Sequence, residues 1–514
     1  MNCIVQTASG AVEGLAREGY CEFRGIPYAA APVGEARFRA PQPQAGWVGV
    51  RKAQAFGTPA PQELSPLMGV DRISDDCLFL NIWTPSPGAG AARPVLVWLH
   101  GGGYLTGCGH QMLYNGARLA ALHDVVVVTC NYRLGLFGFG HFAAVLGNGF
   151  PADTNLGTRD QVAALAWVRE NIAGFGGDAG NVTVFGESAG GMSVATLMAV
   201  PAARGLFRRA IVQSGGADYV VSPEDGARVT SVALDALAGS PAARVDALLR
   251  GEPAAIVKAQ RQAVKQTVQR GLRACTPQFG MSLLPIVDGD FLPQRPIDAI
   301  AGGCAQDIDL LASVTRDEWN LFVHQPQFAG GRNEKAERLD EERLLHVFER
   351  ALPGRGAAML AFYRGVDDRK RNGQLADLLC WMESDRMFRV PTQRLLAAQA
   401  AHRPAVYAAQ FEWENPLAGG ILGACHVVDV PFVFGVTGLP VGQYFTGGGA
   451  QAEALSLQVM AAWAAFARDG EPAPIDGTRW PAYGARHEAL VIGPRAGVVA
   501  MPGAAVEQAW QFLE

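Results

Sequence analysis

"NVTVFGESAGGMSV", residues 181 to 194, is the stretch whose reading decides the fold. Val182 to Phe185 is an apolar run with the length of a buried strand. Gly186, Glu187, Ser188, Ala189 and Gly190 follow, and then a segment that reads as a helix. A hydroxyl residue between two glycines at a strand-to-helix corner has two readings. Either a Gly-rich turn simply closes a strand, or Ser188 is a nucleophile whose backbone needs small neighbours to adopt a strained conformation. The motif alone is a weak signal, because Gly and Ser abound in turns. The strand before it and the helix after it favour the nucleophile.

Outward from this corner the chain alternates. Val95 to Leu99 reads as a buried strand followed by glycines, and Val125 to Cys130 as another, bounded by Asp124 and Asn131. In "RDQVAALAWVRENIAGFGG" (159 to 177), Val162, Leu165, Val168 and Ile172 recur at helical steps, with Gly174 placed to end the helix. "RAIVQSGG" (209 to 216) reads as the next strand. Strand, helix, strand, helix, strand argues for an α/β architecture with a mostly parallel sheet flanked by helices. Residues 218 to 300 and 330 to 400 read as mainly helical, the latter including "EKAERLDEER" (334 to 343). Strand-like runs return at "IDLLASV" (308 to 314) and "AVYAAQFEW" (405 to 413). The expectation is one catalytic domain over 1–514, with helical insertions at about 218–300 and 325–400 over the site.

Composition narrows the classes. Hydrophobic residues make up 49% and charged residues 18%, which describes an ordered globular chain. The net charge of −5 and the lack of a long basic run argue against nucleic acid as a partner. No apolar run approaches the roughly 18 residues of a membrane helix. The N-terminal stretch has neither a charged n-region nor an apolar h-region, so a cytoplasmic location is expected. The nine cysteines are scattered and include no CxxC, so zinc and redox motifs are unsupported and free thiols are expected.

A serine hydroxyl needs a base to take its proton, and the oxyanion it generates needs donors. "VLVWLHGGGYLTG" puts Gly101, Gly102 and Gly103 directly after a strand, where side-chain-free backbone amides can approach an oxyanion. No Gly-Lys-Ser/Thr follows, so a phosphate-binding P-loop is excluded. His100 reads as a loop-packing residue.

These residues together resemble the type B carboxylesterase/lipase family of the α/β-hydrolase fold, over nearly the whole chain. "FRGIPYA" (23 to 29), "RFRAPQP" (37 to 43), "DDCLFLNIW" (75 to 83), "HGGGY" (100 to 104), "NYRLGLFGF" (131 to 139), "NLGTRDQ" (155 to 161) and "FGGDAGNVTVFGESAGG" (175 to 191) follow in the family's order. "WAAFARDGEPAP" and "WPAY" resemble its C-terminal helix and tail. The resemblance implies Ser188 as nucleophile, Glu318 in "ASVTRDEWNLF" as acid and His426 in "GACHVVDVPFVFG" as base, with the amides of Gly102, Gly103 and Ala189 as oxyanion donors. On the residues alone Asp317 rivals Glu318; the motif favours Glu318. The family also implies a site-lining, electrostatic role for Glu187 and a position near the acid for Ser214. Tyr104 and Trp319 flank catalytic motifs and are the leading wall candidates, ahead of Phe322 and Phe432.

The resemblance implies a carboxylic ester hydrolase acting through an acyl-enzyme on short- to medium-chain esters, with no metal and no organic cofactor. Its activity should fall at acidic pH, where His426 is protonated. A long-chain lipase and an amide, carbamate or thioester hydrolase share the chemistry and remain open. A non-catalytic binding protein on the same fold is disfavoured by the intact Ser188, Glu318 and His426. Two departures matter. Residues 48 to 82 contain no Trp, which argues against a choline ester. The cysteine nearest upstream of Cys77 is Cys21, outside the loop that the family's disulfide closes.

Overall fold

The computed structural model describes residues 3–147, 149–269, 281–328, 337–365, 374–501 and 503–511. Apolar runs dominate its centre. Strands β8 (Val126–Cys130), β10 (Arg209–Gln213) and β11 (Asp309–Thr315) are buried at every position. Such strands have both faces covered, as in parallel sheets between helical layers. In β7 (Arg93–Leu99) the two faces separate cleanly. Val95, Val97 and Leu99 join one core, and Leu96 and Trp98 join the other.

The remaining strands are β1 (Ile4–Thr7), β2 (Gly10–Glu13), β3 (Leu15–Arg17), β4 (Tyr20–Pro27), β5 (Val50–Lys52), β6 (Phe79–Thr84), β9 (Gly177–Glu187), β12 (Val406–Phe411), β13 (Glu488–Ile492) and β14 (Gly497–Ala500). β1, β2 and β5 form a small sheet of three. The main sheet has 11 strands in the order β3-β4-β6-β8-β7-β9-β10-β11-β12-β13-β14. Every neighbouring pair from β8 to β13 is parallel, and the flanking pairs are antiparallel. Helices Leu156–Asn171 and Ala189–Leu197 cover one face, and Gly449–Asp469 covers the other through Val459, Met460 and Trp463. This is the α/β-hydrolase fold.

The long connections after β10 and β11 carry the helices expected there. Pro223–Asp235 and Pro241–Arg250 start at Ser-Pro, where the serine side chains of Ser222 and Ser240 cap the first turn. Pro253–Gln269 and Pro296–Ala301 follow. The second connection holds Glu341–Ala351, Gly356–Gly365 and Leu375–Ser384. These three pack with the C-terminal helix Ala504–Trp510 around a core of their own. Residues 270–280, 329–336 and 366–373 of these stretches, and so residues 334–336 of "EKAERLDEER", lie outside the described residues.

Two sequence expectations change. The helix expected to end at Gly174 ends at Asn171; a 3-10 turn, Ile172–Phe175, then closes at Gly176, whose φ of +85° suits glycine. The free-thiol reading fails for Cys3 and Cys21, which form a disulfide across 18 residues. The chain just before β1 lies beside β4, bringing the two Cα atoms to 6.0 Å, a proximity no spacing rule reports. Cys77, Cys108, Cys130, Cys304, Cys380 and Cys425 are free thiols, and Cys275 lies outside the described residues.

Candidate active site

The expected site residues leave the carboxyl ends of adjacent parallel strands. Gly101–Gly103 follow β7, Ser188 follows β9, Ser214 follows β10, Glu318 lies just past β11 and His426 past β12. The order β9-β7-β8 is where the strand sequence reverses, the place where open α/β sheets bind ligands.

At the elbow Ser188 has φ +57° and ψ −128°, a conformation costly for a residue with a Cβ. Its amide donates to Gln213 O at 2.9 Å, tying the turn to β10. The flanking glycines have a steric cause. A Cβ on Gly190 would stand 2.0 Å from Leu99 O, and one on Gly186 would stand 2.5 Å from the Gly190 carbonyl carbon. Ser188 is half-buried, while Glu187 and Ala189 are fully enclosed.

The glycine loop after β7 lies against this turn. A Cβ on Gly101 would meet Ser188 Cβ at 3.1 Å and Glu187 O at 2.9 Å. Gly102 has φ +111°, and its carbonyl accepts from the amides of Leu105 and Thr106. A Cβ on Gly102 would stand 2.2 Å from Thr106 O. Among the described residues the amides of Gly102, Gly103 and Ala189 have no protein acceptor, and Ala189 is the first residue of its helix, where that is the rule. His100 packs under the loop as expected. Its ring stacks on Tyr132 at 4.4 Å, and burial lowers its pKa to about 4. Tyr104 does not line an open wall. It is fully buried against Phe139, and its hydroxyl meets Ser193 of the helix after the elbow at 3.3 Å.

The expected acid and base meet across the sheet end. His426 Nδ1 lies 2.6 Å from Glu318 Oε2, and both side chains are buried. Glu318 Oε1 accepts from Ser214 Oγ at 2.6 Å and from the Thr315 amide at 2.7 Å. Asp317, the rival acid, turns away. Its carboxylate takes Arg316 at 2.8 Å and the Ala424 amide at 2.9 Å, pinning the loop that carries His426. Val427 follows with φ +75°, an outlier for a β-branched residue. Phe388 and Phe322 flank the imidazole at 4.6 and 5.3 Å between ring centroids, and Trp319 packs behind Phe322. Trp319 is buried, Phe322 is exposed, and Phe432 lies in the core against Phe411 and Trp413 rather than on a wall.

The other imidazole nitrogen, Nε2, lies 3.1 Å from Glu187 Oε1. Among the described residues no hydrogen bond joins Ser188 Oγ to His426, a link that often tightens only when substrate binds. Glu187 therefore faces the His426 ring. A third carboxylate, Asp429, accepts from Gln213 Nε2 at 2.6 Å, and Gln213 Oε1 in turn accepts from Trp463. Burial pushes Glu187 up to about 8, helped by Asp429 and Glu318 and opposed by His426. Burial likewise lifts Asp429, to about 6. Burial would lower His426, but Glu187 and Glu318 override it and raise the imidazole to about 9. Glu187 and the imidazole thus share one proton near neutrality, each favouring the charged form of the other. Asp429, Gln213 and Phe388 escaped the sequence reading: Asp429 and Gln213 stand beside His426 and Ser214 in the quoted stretches, but nothing in the chain says that their side chains meet, and Phe388 stands in no quoted motif. Among the described residues no group of three or more His, Cys, Asp or Glu side chains is placed to hold a metal, and no helix is long and apolar enough to cross a membrane.

The carboxylesterase family profile matches residues 2–500. The chain is 37% identical to the para-nitrobenzyl esterase of Bacillus subtilis (strain 168) over 490 residues, 93% of this chain and 92% of that protein. It is 34% identical to the phenmedipham hydrolase of Pseudarthrobacter oxydans, over 97% of this chain and 96% of that protein. The crystal structure of a Geobacillus stearothermophilus carboxylesterase superposes with a TM-score of 0.86 at 36% identity, covering 99% of this chain and all of that one. With the Ser188 corner, the glycine loop and the buried Glu318–His426 pair at one end of the sheet, the chain belongs to the carboxylesterase family and is a serine carboxylesterase.

Proposed function

We propose that the protein hydrolyses short- to medium-chain carboxylic esters through Ser188, His426 and Glu318. The observation that carries this reading is the 2.6 Å contact between His426 Nδ1 and Glu318 Oε2, at the same sheet end as the elbow. Neutral His426 takes the Ser188 proton as Oγ attacks the ester carbonyl. Glu318 fixes the imidazole tautomer and stabilises its charged form, itself oriented by Ser214 and the Thr315 amide. The amides of Gly102, Gly103 and Ala189 receive the oxyanion. His426 returns the proton to the leaving alcohol, and water then releases the acid and frees Ser188. The rings of Phe388 and Phe322 beside the imidazole favour an apolar group on the ester. Domain 1–514 acts as one unit in this reading, with the two insertions walling the site.

The test is p-nitrophenol release from the acetate, butyrate and palmitate esters by wild type and Ser188→Ala. Fast turnover of the short esters, absent in the variant, is expected. A preference for palmitate would shift the reading to a lipase. Turnover that survives in Ser188→Ala would remove Ser188 as nucleophile.

A further inference from the structure

Helix Leu375–Ser384 runs into helix Val390–Ala400 through a π turn, Asp385–Arg389, in which the Val390 amide reaches Asp385 O. Single π turns inside helices cluster at functional sites. Here the sequence supplies a cause. Pro391 has no N–H, so Met387 O lacks the donor that an α-helix places four residues on. The hydroxyl of Tyr219, buried in the connection after β10, donates to Met387 O instead. Within the turn Asp385 and Arg389 form an enclosed ion pair, and Tyr363 donates to Asp385 Oδ2 at 2.7 Å.

This bar touches the acid–base side repeatedly. Phe388, inside the turn, packs on the His426 ring. Arg389 Nη2 donates to Arg316 O at 2.9 Å, and Ser384 Oγ accepts from the Trp319 amide at 3.0 Å, so both ends of the Glu318 loop hang on it. Thr392 donates to Gly215 O, beside Ser214.

We infer that Tyr219 is a positioning residue for the hydrolysis: by standing in for the missing Pro391 amide at Met387 O, it holds the π turn that seats Phe388 on His426 and keeps the Glu318 loop in register. The inference rests on His426 and Glu318 being base and acid, as proposed above.

The test measures kcat and KM for p-nitrophenyl acetate per active serine, the serines being counted with a fluorophosphonate. In Tyr219→Phe, kcat per titrated serine is expected to fall about tenfold with KM unchanged, the size of effect a sub-ångström misplacement of a base produces. A merely structural role would lower Tm and the number of titratable serines, not the rate of each. Pro391→Ala is the second variant. It returns an N–H to the helix, so it holds or raises Tm while relaxing the π turn, and its per-site kcat is also expected to fall. Wild-type per-site kcat in either correctly folded variant would overturn the inference. His426→Ala separates the two layers. Retained turnover there would overturn the base assignment itself, whereas its loss alongside an unaffected Tyr219→Phe would overturn only the positioning role.

Discussion

On the serine side of the site the backbone does the aiming; on the acid–base side the side chains do. Ser188 is held at φ +57° between glycines that have no room for a Cβ, 2.0 Å from Leu99 O in the case of Gly190. The glycine loop is shaped the same way, with Gly102 closed onto Thr106. Glu318 and His426, by contrast, lie 108 residues apart and are held by each other and by the side chains of Ser214 and Phe388, with one backbone donor, the Thr315 amide. Sterically dictated backbone fails all at once when a single atom is added. A network of side-chain bonds degrades contact by contact.

Four measurements sharpen or break that contrast. Glu318→Gln keeps the shape of the proposed acid and removes its charge, and kcat for p-nitrophenyl acetate should fall about 10⁴-fold, as for the acid of a serine triad. A loss under tenfold would mean that Glu187, on the other face of the imidazole, serves as the acid. Gly102→Ala displaces one proposed oxyanion donor and should raise the barrier by about 3 kcal/mol, some hundredfold in kcat, with the loss confined to kcat. Near-normal kcat would show that the loop yields, and the backbone side would lose its all-or-none character.

Glu187→Gln tests the electrostatics through pH. In the proposed mechanism the imidazole acts as base only when neutral, so activity should fall as pH drops through its pKa. Glu187 is the strongest partner raising that pKa. Its neutralisation should move the acid limb of kcat/KM to lower pH, read from a pH–rate profile. An unmoved limb would mean that Glu187 is already neutral across the limb. The smallest effect is expected from Asp317→Asn. The loop carrying His426 loses a charged acceptor for the Ala424 amide, costing about 1–2 kcal/mol in denaturant unfolding with only a few-fold change in rate. A rate loss as large as that of Glu318→Gln would make the pair of acids, not Glu318 alone, the functional unit.

The same division explains what was legible. The elbow and glycine loop were readable because their constraint is local: glycine at a spot where a Cβ has no space leaves its mark at that position. The α/β alternation was readable for a similar reason, since strands such as Val126–Cys130, buried on both faces, must be apolar throughout. The choice between Asp317 and Glu318 was not. Adjacent carboxylates look alike until the fold shows one on His426 and the other on Arg316 and Ala424. Tyr104 and Phe432 misled because an aromatic beside a catalytic motif has the same spelling in a core as on a wall. The Cys3–Cys21 pair escaped because strand proximity is not encoded in cysteine spacing.

By itself the sequence determined the layered α/β architecture, the strained corner at Ser188 and the glycine loop that faces it, because periodicity and missing side chains act over a few residues. Only the tertiary structure decided which carboxylates surround His426, that Glu187 faces its second nitrogen, and that Pro391 and Tyr219 together shape the turn carrying Phe388. The contacts of Glu318 and Glu187 with His426, and of Tyr219 with Met387, join residues a hundred or more positions apart, and their energies depend on burial that exists only once the sheet and its helices have closed around them.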